Sequence, residues 1–382
     1  MANLPPTAEC VIVGGGVVGC SLAYHLARAG LQPLLLERGD FGAGSTARCA
    51  GGVRQQFSTE INVRVGMLSR KLLERFEDEV GATADLRQIG YLFVITDEGE
   101  MAQFERNVAM QHAVGLTDVR TLTTDAIADL VPDMNLADVV GGTYCPSDGL
   151  AGPNEVTTGY VSAARRHGAR VYEGVGVESV ERDGDRVSAV IAAGTRIATP
   201  MLVNCAGPYA AEVGAMARVD VPVKPYRRHL FLTETFALKR DPPMTVDMRT
   251  SFYIHPEGDG LLLGMSDPAE PSSFDTNVDW HFLEHLVEHA THRLPPLERA
   301  AIKTGWAGLY EVSPDHQAIV GESELSGFWL CCGFSGHGFM QAPAVGLLLA
   351  QEITGVGTEI DLAPFRPDRF ARGPTTAEAA II

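Results

Sequence analysis

The 382-residue sequence has little positive charge. Its 30 Lys and Arg stand against 48 Asp and Glu, a net charge of −18 at pH 7. Such a surface repels nucleic-acid phosphates and excludes that class of partner. It still admits a small anionic substrate, provided that one site concentrates positive charge. Long apolar runs are missing too. The stretch CVIVGGGVVGCSLAYHLA comes nearest, but its glycines are spaced for a turn, and Glu9 stands where a signal peptide carries basic residues. Nothing else approaches the ~18 apolar residues of a spanning helix, so no membrane association is expected. No CxxC pair occurs among the 7 cysteines, Cys10, Cys20, Cys49, Cys145, Cys205, Cys331 and Cys332. The adjacent Cys331 and Cys332 make a poor disulfide. These absences point to a soluble, cytoplasmic protein with reduced, buried thiols. Internal repeats and low-complexity linkers are absent as well.

Glycine is abundant, at 41 residues, so many positions need unusual backbone angles or close approach. The length suits two domains of ~100–200 residues each. The first glycine cluster has a physical order. A short apolar strand at about Glu9–Val13 leads into Gly14-x-Gly16-Val17-Val18-Gly19, a helix running to about Ala29, a second strand Pro33–Leu36, and Glu37–Arg38. Gly14 makes a tight turn, Gly16 lets the backbone approach a pyrophosphate, and Gly19 lets helix and strand pack closely. The helix N-terminus offers unpaired N–H groups to phosphates. Glu37 lies 18 residues past Gly19, the place of an acid that binds ribose hydroxyls and repels a 2′-phosphate. Strand, turn, helix, strand and acid in this order predict a Rossmann-like dinucleotide site.

The motif leaves NAD and FAD open. Two further glycine-rich turns run into helices: LVNCAGPYAAEVG at 202–214, with Cys205, Ala206 and Gly207, and LCCGFSGHGFMQAPAVGLLLAQEITG at 330–355, with Gly336, His337, Gly338, Phe339 and Met340. Several such loops suit an elongated, anionic, planar ligand, which favours FAD. Between them lies GAGSTARCAGGVRQQF at 42–57, nearly bare backbone that ends on Arg54.

Together with Asp148–Gly149 and WAGLYEVSPDHQAIVG, these stretches resemble, in order and over nearly the whole chain, the flavin-dependent amine and amino-acid oxidases. That family includes D-amino-acid oxidase, glycine oxidase, sarcosine oxidases and the catalytic subunit of L-proline dehydrogenase. The resemblance implies an α/β fold with an α+β second domain: a discontinuous FAD-binding domain at 1–85, 145–220 and 300–370, and an inserted mixed-sheet substrate domain at 86–144 and 221–299. It implies that Ser45 and Thr46 meet the pyrophosphate. Arg48, Cys49, Ala50, Gly51 and Gly52 pass under the isoalloxazine ring, and Val177 lines the adenine end. Gly308 and Arg48 stand where relatives carry residues covalently bonded to FAD, so non-covalent FAD is expected. Local patterning agrees with the mixed sheet: residues 168–207 alternate as antiparallel strands around Asp183–Gly184–Asp185.

On the substrate side, Arg54 aligns with the arginine that binds the substrate carboxylate, and a guanidinium fork suits two parallel charge-assisted bonds. Tyr253 and Tyr310 match cavity tyrosines of sarcosine oxidases. Met340 replaces a carboxylate-gripping lysine and admits a larger substrate, leaving Gln341 or Tyr310 to assist. Leu262 replaces an oxygen-activating lysine. The implied chemistry is hydride transfer from Cα to flavin N5, giving an imine that hydrolyses to glyoxylate or a keto acid plus amine. O2 then reoxidises the flavin with release of H2O2, or an electron-accepting partner does so, as in a proline-type dehydrogenase. The substrate is an amino acid, foremost a secondary amine such as an N-substituted glycine. His337 is expected as a loop hydrogen-bonder rather than an acid or base.

The rival is WHFLEHLVEHATHR at 280–293, in which His281, His285 and His289 share one helical face and His285-x-x-Glu288-His289 fits an inverted zinc-peptidase pattern. The favoured view is an exposed amphipathic helix with Leu283, Leu286 and Ala290 inward, and no metal site is expected. The basic cluster Lys224, Arg227 and Arg228 is expected to be structural. Residues 371–382 are expected to be a frayed tail.

Overall fold

The computed structural model describes residues 3–373 and 375–380. Strand β1 (Val11–Val13) and strand β2 (Leu34–Leu36) are wholly buried apolar triplets, as a sheet covered on both faces requires. They lie side by side in a six-stranded sheet. Its order is Ile319–Glu322, Phe328–Cys332, Leu202–Asn204, β1, β2 and Arg170–Tyr172. All pairings are parallel except the outermost, between 319–322 and 328–332. Helix α1 (Val17–Arg28) follows β1. Gly14 has φ +107°, and a Cβ there would overlap the Cys205 carbonyl oxygen; a Cβ at Gly19 would overlap the Gly14 carbonyl oxygen. Only glycine therefore allows this strand–turn–helix junction.

A second, eight-stranded sheet has the order Ile302–Val312, Lys224–Thr233, Gly260–Met265, Tyr253–Glu257, Met244–Asp247, Tyr91–Ile95, Gly141–Cys145 and Arg120–Leu122. It is antiparallel apart from the parallel pair 244–247 and 91–95. Strand Ile302–Val312, grouped on sequence with the flavin segments, is hydrogen-bonded into this sheet. A hairpin pairs Val177–Asp183 with Arg186–Ala192 around Gly184, where the sequence places its turn.

The helix Trp280–Arg293 turns Phe282, Leu286 and Ala290 inward, while His281 and His285 are exposed. Among the described residues, no group of His, Cys, Asp and Glu comes together as a metal site. Cys331 and Cys332, both buried, point to opposite faces of their strand and join different apolar clusters. No described helix is long and apolar enough to cross a membrane.

Candidate active site

A cleft of about 500 Å³ is lined from both large sheets. On one side stand the α1 turn (Gly14, Gly16, Val17, Val18), the end of β2 with Glu37 and Arg38, and Val177. Cys205, Ala206 and Gly207 add a second loop, and Ser45, Thr46, Arg48, Cys49, Ala50, Gly51 and Gly52 a third. Gly336, His337, Gly338, Phe339 and Met340 open the helix Gly338–Ile353. Arg54, Tyr253, Tyr310 and Gly308 complete the wall. Two predicted residues lie off the cleft. Gly19 packs beneath it against Gly14. Gln341 is buried one position past Met340, and its Nε2 donates to Asn62 Oδ1 at 2.9 Å. A one-residue step around a helix is about 100°, which carries Gln341 away from the face that Met340 presents.

The lining suits a long anionic group. Neither α1 nor the helix Gly338–Ile353 has an acidic residue in its first turn, so their N-terminal N–H groups keep their affinity for phosphate. Glu37 Oε2 accepts from Gly15 N at 2.6 Å and Oε1 from Gly39 N at 2.8 Å, which fixes its carboxylate at the tip of β2. Thr46 Oγ1 accepts from Val17 N at 3.1 Å, and Ser45 Oγ donates to the Leu309 carbonyl at 2.6 Å. These bonds, with Arg48 Nη1 on the Ala307 carbonyl at 3.1 Å, clamp the 45–48 loop between the two sheets. Gly308 faces Arg48 closely enough that a Cβ would meet the Arg48 Cβ at 3.0 Å.

Arg54 is 1% exposed. Its Nη2 donates to the Ala380 carbonyl at 2.8 Å and lies 2.9 Å from His337 Nε2. Its Nε and Nη1 have no partner among the described residues. Burial, with the nearby charges of Arg54 and His316, holds the His337 pKa well below the ordinary histidine value. Neutral His337 thus accepts from the guanidinium. The Arg54 guanidinium also lies over Phe57, 4.4 Å from the ring centroid. Burial raises the pKa values of Tyr253 and Tyr310, so both remain phenols. Burial also lifts the Glu311 carboxyl to about 7, and its Oε2 is unpartnered among the described residues.

Two expectations need correction. The basic cluster divides. Arg227 is structural, ion-paired to Glu270 at 3.1 Å and Asp275 at 2.8 Å. Arg228 instead lines the cleft, 5.1 Å from the Tyr310 ring centroid, with a buried Nε that lacks a partner among the described residues. Alternation along Lys224–Thr233 was the signal that separates the two. The tail is not frayed over its described part: Glu378 and Ala380 are buried, 1% and 3% exposed, against the Arg54 region. A single glutamate forms that anchor, and it meets residues some 320 positions away, so no local pattern announced it. Pro374, Ile381 and Ile382 of the same expectation lie outside the described residues.

The FAD dependent oxidoreductase family profile matches residues 9–352. Mitochondrial sarcosine dehydrogenase of Mus musculus is 33% identical over 96% of this chain and 42% of its own length. The chain spans less than half the length, 42% to 45%, of the mammalian sarcosine and dimethylglycine dehydrogenases that it matches. Among solved structures, L-proline dehydrogenase from P. horikoshii superposes with a TM-score of 0.91 at 32% identity, covering 97% of this chain and 100% of that one. Glycine oxidase from Geobacillus kaustophilus gives 0.85 at 26% identity, covering 96% and 99%. With its glycine-built nucleotide turn, its two-sheet cleft and a profile match over most of its length, the chain belongs to the FAD dependent oxidoreductase family.

Proposed function

We propose that this chain oxidises an amino acid held through its carboxylate by Arg54, foremost a secondary amine such as an N-substituted glycine. The carrying observation is Arg54 itself: a buried guanidinium in the family's cleft, with two nitrogens lacking acceptors and no acidic side chain bonded to it among the described residues. An uncompensated buried cation is costly, and a ligand carboxylate offsets that cost.

FAD would be held by the 14–19 turn, Glu37, the 45–52 loop and the 336–340 turn, without a covalent bond, since Gly308 and Arg48 offer no attachment chemistry. The same assignment places the cofactor mainly against the six-stranded sheet and the substrate mainly against the eight-stranded one. When bound, FAD supplies a two-electron acceptor. Arg54 fixes the carboxylate and thereby the direction of the Cα–H bond. Tyr253 and Tyr310 give an aromatic wall whose phenols can donate to the carboxylate or accept from the amine. Met340 leaves apolar room for an N-substituent. Removal of a hydride equivalent from a neutral amine leaves an iminium, which water hydrolyses to glyoxylate and the free amine, or to a keto acid. No side chain is required as a base.

The second reading is a proline-type dehydrogenase that passes electrons to a partner or carrier rather than to O2. The whole-chain superposition on L-proline dehydrogenase favours it, as does the buried Leu262 in place of an oxygen-activating lysine. Anaerobic mixing with sarcosine, longer N-alkylglycines, glycine, L-proline and D-amino acids tests both, read as loss of absorbance near ~450 nm, where oxidised flavins absorb. Bleaching by N-alkylglycines with rapid recolouring in air supports the first reading. Bleaching by L-proline with slow recolouring supports the second. No bleaching by any amino acid in FAD-loaded protein overturns both.

A further inference from the structure

The segment 375–380 is anchored by a buried carboxylate. Glu378 Oε1 accepts from Ser58 N at 2.8 Å and Ser58 Oγ at 2.6 Å, and Oε2 from Thr59 Oγ1 at 3.0 Å and Asn62 Nδ2 at 2.9 Å. The Glu378 amide donates to the Asp315 carbonyl at 3.0 Å, and Gln317 Nε2 donates to the Thr376 carbonyl. No cation pairs with Glu378 among the described residues. This anchor seats Ala380 two residues further on, with its carbonyl on Arg54 Nη2.

The choice of nitrogen matters. A carboxylate grips a guanidinium along one of two edges, Nε with Nη2 or Nη1 with Nη2. Both edges use Nη2, which carries two hydrogens. One goes to the Ala380 carbonyl and the other to His337 Nε2. Neither edge is therefore free for two-point binding, although Nε and Nη1 lack partners among the described residues. One acceptor must leave. His337 is fixed: its amide donates to the Phe334 carbonyl at 2.9 Å, its carbonyl accepts from Gln341 N at 3.1 Å, and its ring lies edge-on to Phe57. Ala380 belongs to no helix or strand.

We propose that residues 375–380 are a displaceable internal ligand of Arg54, with Glu378 as the positioning residue, so that a substrate carboxylate binds by driving the Ala380 carbonyl off the guanidinium; this rests on Arg54 being the carboxylate site. The exchange replaces a neutral acceptor by a charged one, and charge-assisted bonds are about twice as strong. A neutral ligand of the same shape gains nothing by it. The segment thus screens for anionic substrates and lowers apparent affinity by the fraction of time it is docked.

The test uses oxidised, FAD-loaded protein with acetate as the carboxylate and acetamide as its neutral isostere. Backbone hydrogen exchange in 375–380 is expected to accelerate about tenfold or more at saturating acetate and to stay unchanged with acetamide. Glu378→Ala is expected to bind acetate about tenfold more tightly, read from perturbation of the flavin spectrum, with Glu378→Gln intermediate. Exchange that is unchanged or slowed by acetate overturns the proposal, as does weaker acetate binding in Glu378→Ala. Arg54→Ala separates the two levels. If it abolishes acetate binding while the segment is indifferent to acetate, only the internal ligand falls. If it binds acetate like the parent, Arg54 is not the carboxylate site and both fall.

Discussion

Asp148 shows how a single buried group shapes the site. It is fully buried, and Oδ1 accepts from Gln55 N at 2.9 Å and Gln55 Nε2 at 2.7 Å, while Oδ2 accepts from Gln56 Nε2 at 3.2 Å. Those bonds hold the two residues directly after Arg54. Burial nonetheless raises its pKa from 3.8 to about 6. A carboxyl whose folded pKa is raised contributes stability that is fully present below pH 4 and is lost as pH rises through 6. The contribution is on the order of 3 kcal/mol. Asp148→Asn is expected to flatten the stability-versus-pH curve between pH 4 and 6, measured by urea denaturation. Gln56 Nε2 also donates to the Tyr91 carbonyl at 3.0 Å, so a flip that let Gln56 Oε1 accept from the new amide would give up that bond, and an overall loss of stability is expected alongside the flatter curve. An unchanged slope would remove Asp148 as the titrating group. At Arg54, the change to Lys keeps the charge and loses the fork. It is expected to raise KM for amino-acid substrates by at least about tenfold, the ~1.4 kcal/mol of one charge-assisted bond, with a smaller change in kcat.

Helix α1 and the helix Gly338–Ile353 approach at Gly346, where a Cβ would overlap Ser21 Oγ and lie 3.0 Å from Leu22 N. Gly346→Ala is expected to cost about 1–3 kcal/mol as overpacking, measured by denaturant midpoint. Adding Ser21→Gly should recover part of it, because the two sites share one contact. If the double variant is no more stable than the single, the Leu22 backbone rather than Ser21 is the limiting neighbour. Elements of this kind were legible in the sequence for a steric reason. Gly14 and Gly19 are each forced by a carbonyl oxygen in the position a Cβ would take, so their spacing carries the geometry. Arg54 was legible only through resemblance, since its burial depends on Phe57, His337 and Ala380 from three separate segments. Arg228 was misread because a basic pair on one strand looks uniform until its alternation is resolved into an ion-paired face and a cleft face.

At the scale of the whole molecule, the cleft joins the two sheets, so a cofactor bound there bridges them. At a thousandfold excess of FAD over its Kd, such binding adds about 4 kcal/mol. Deflavination is expected to lower Tm by on the order of 5 °C, read by calorimetry and restored by added FAD. A Tm indifferent to FAD would mean that the cleft is not its site. The fold class was readable because two hydrophobic periodicities and one glycine turn specify it. The docked segment was not, because its anchor Glu378 is received by Ser58, Thr59 and Asn62, more than 300 positions away in the sequence.

The strand Ile302–Val312 carries a mechanical consequence. It is hydrogen-bonded along Lys224–Thr233 in the eight-stranded sheet. Its Ala307 and Leu309 carbonyls also take Arg48 and Ser45 from the loop that caps α1. Shear of one sheet past the other would break these bonds together, at the wall of the cleft. These bonds tie the 45–48 loop and the strand together as one unit. On the function and the displaceable segment proposed above, substrate entry is expected to follow small peripheral movements, of a side chain or of the docked segment, rather than a hinge-like opening of the two halves.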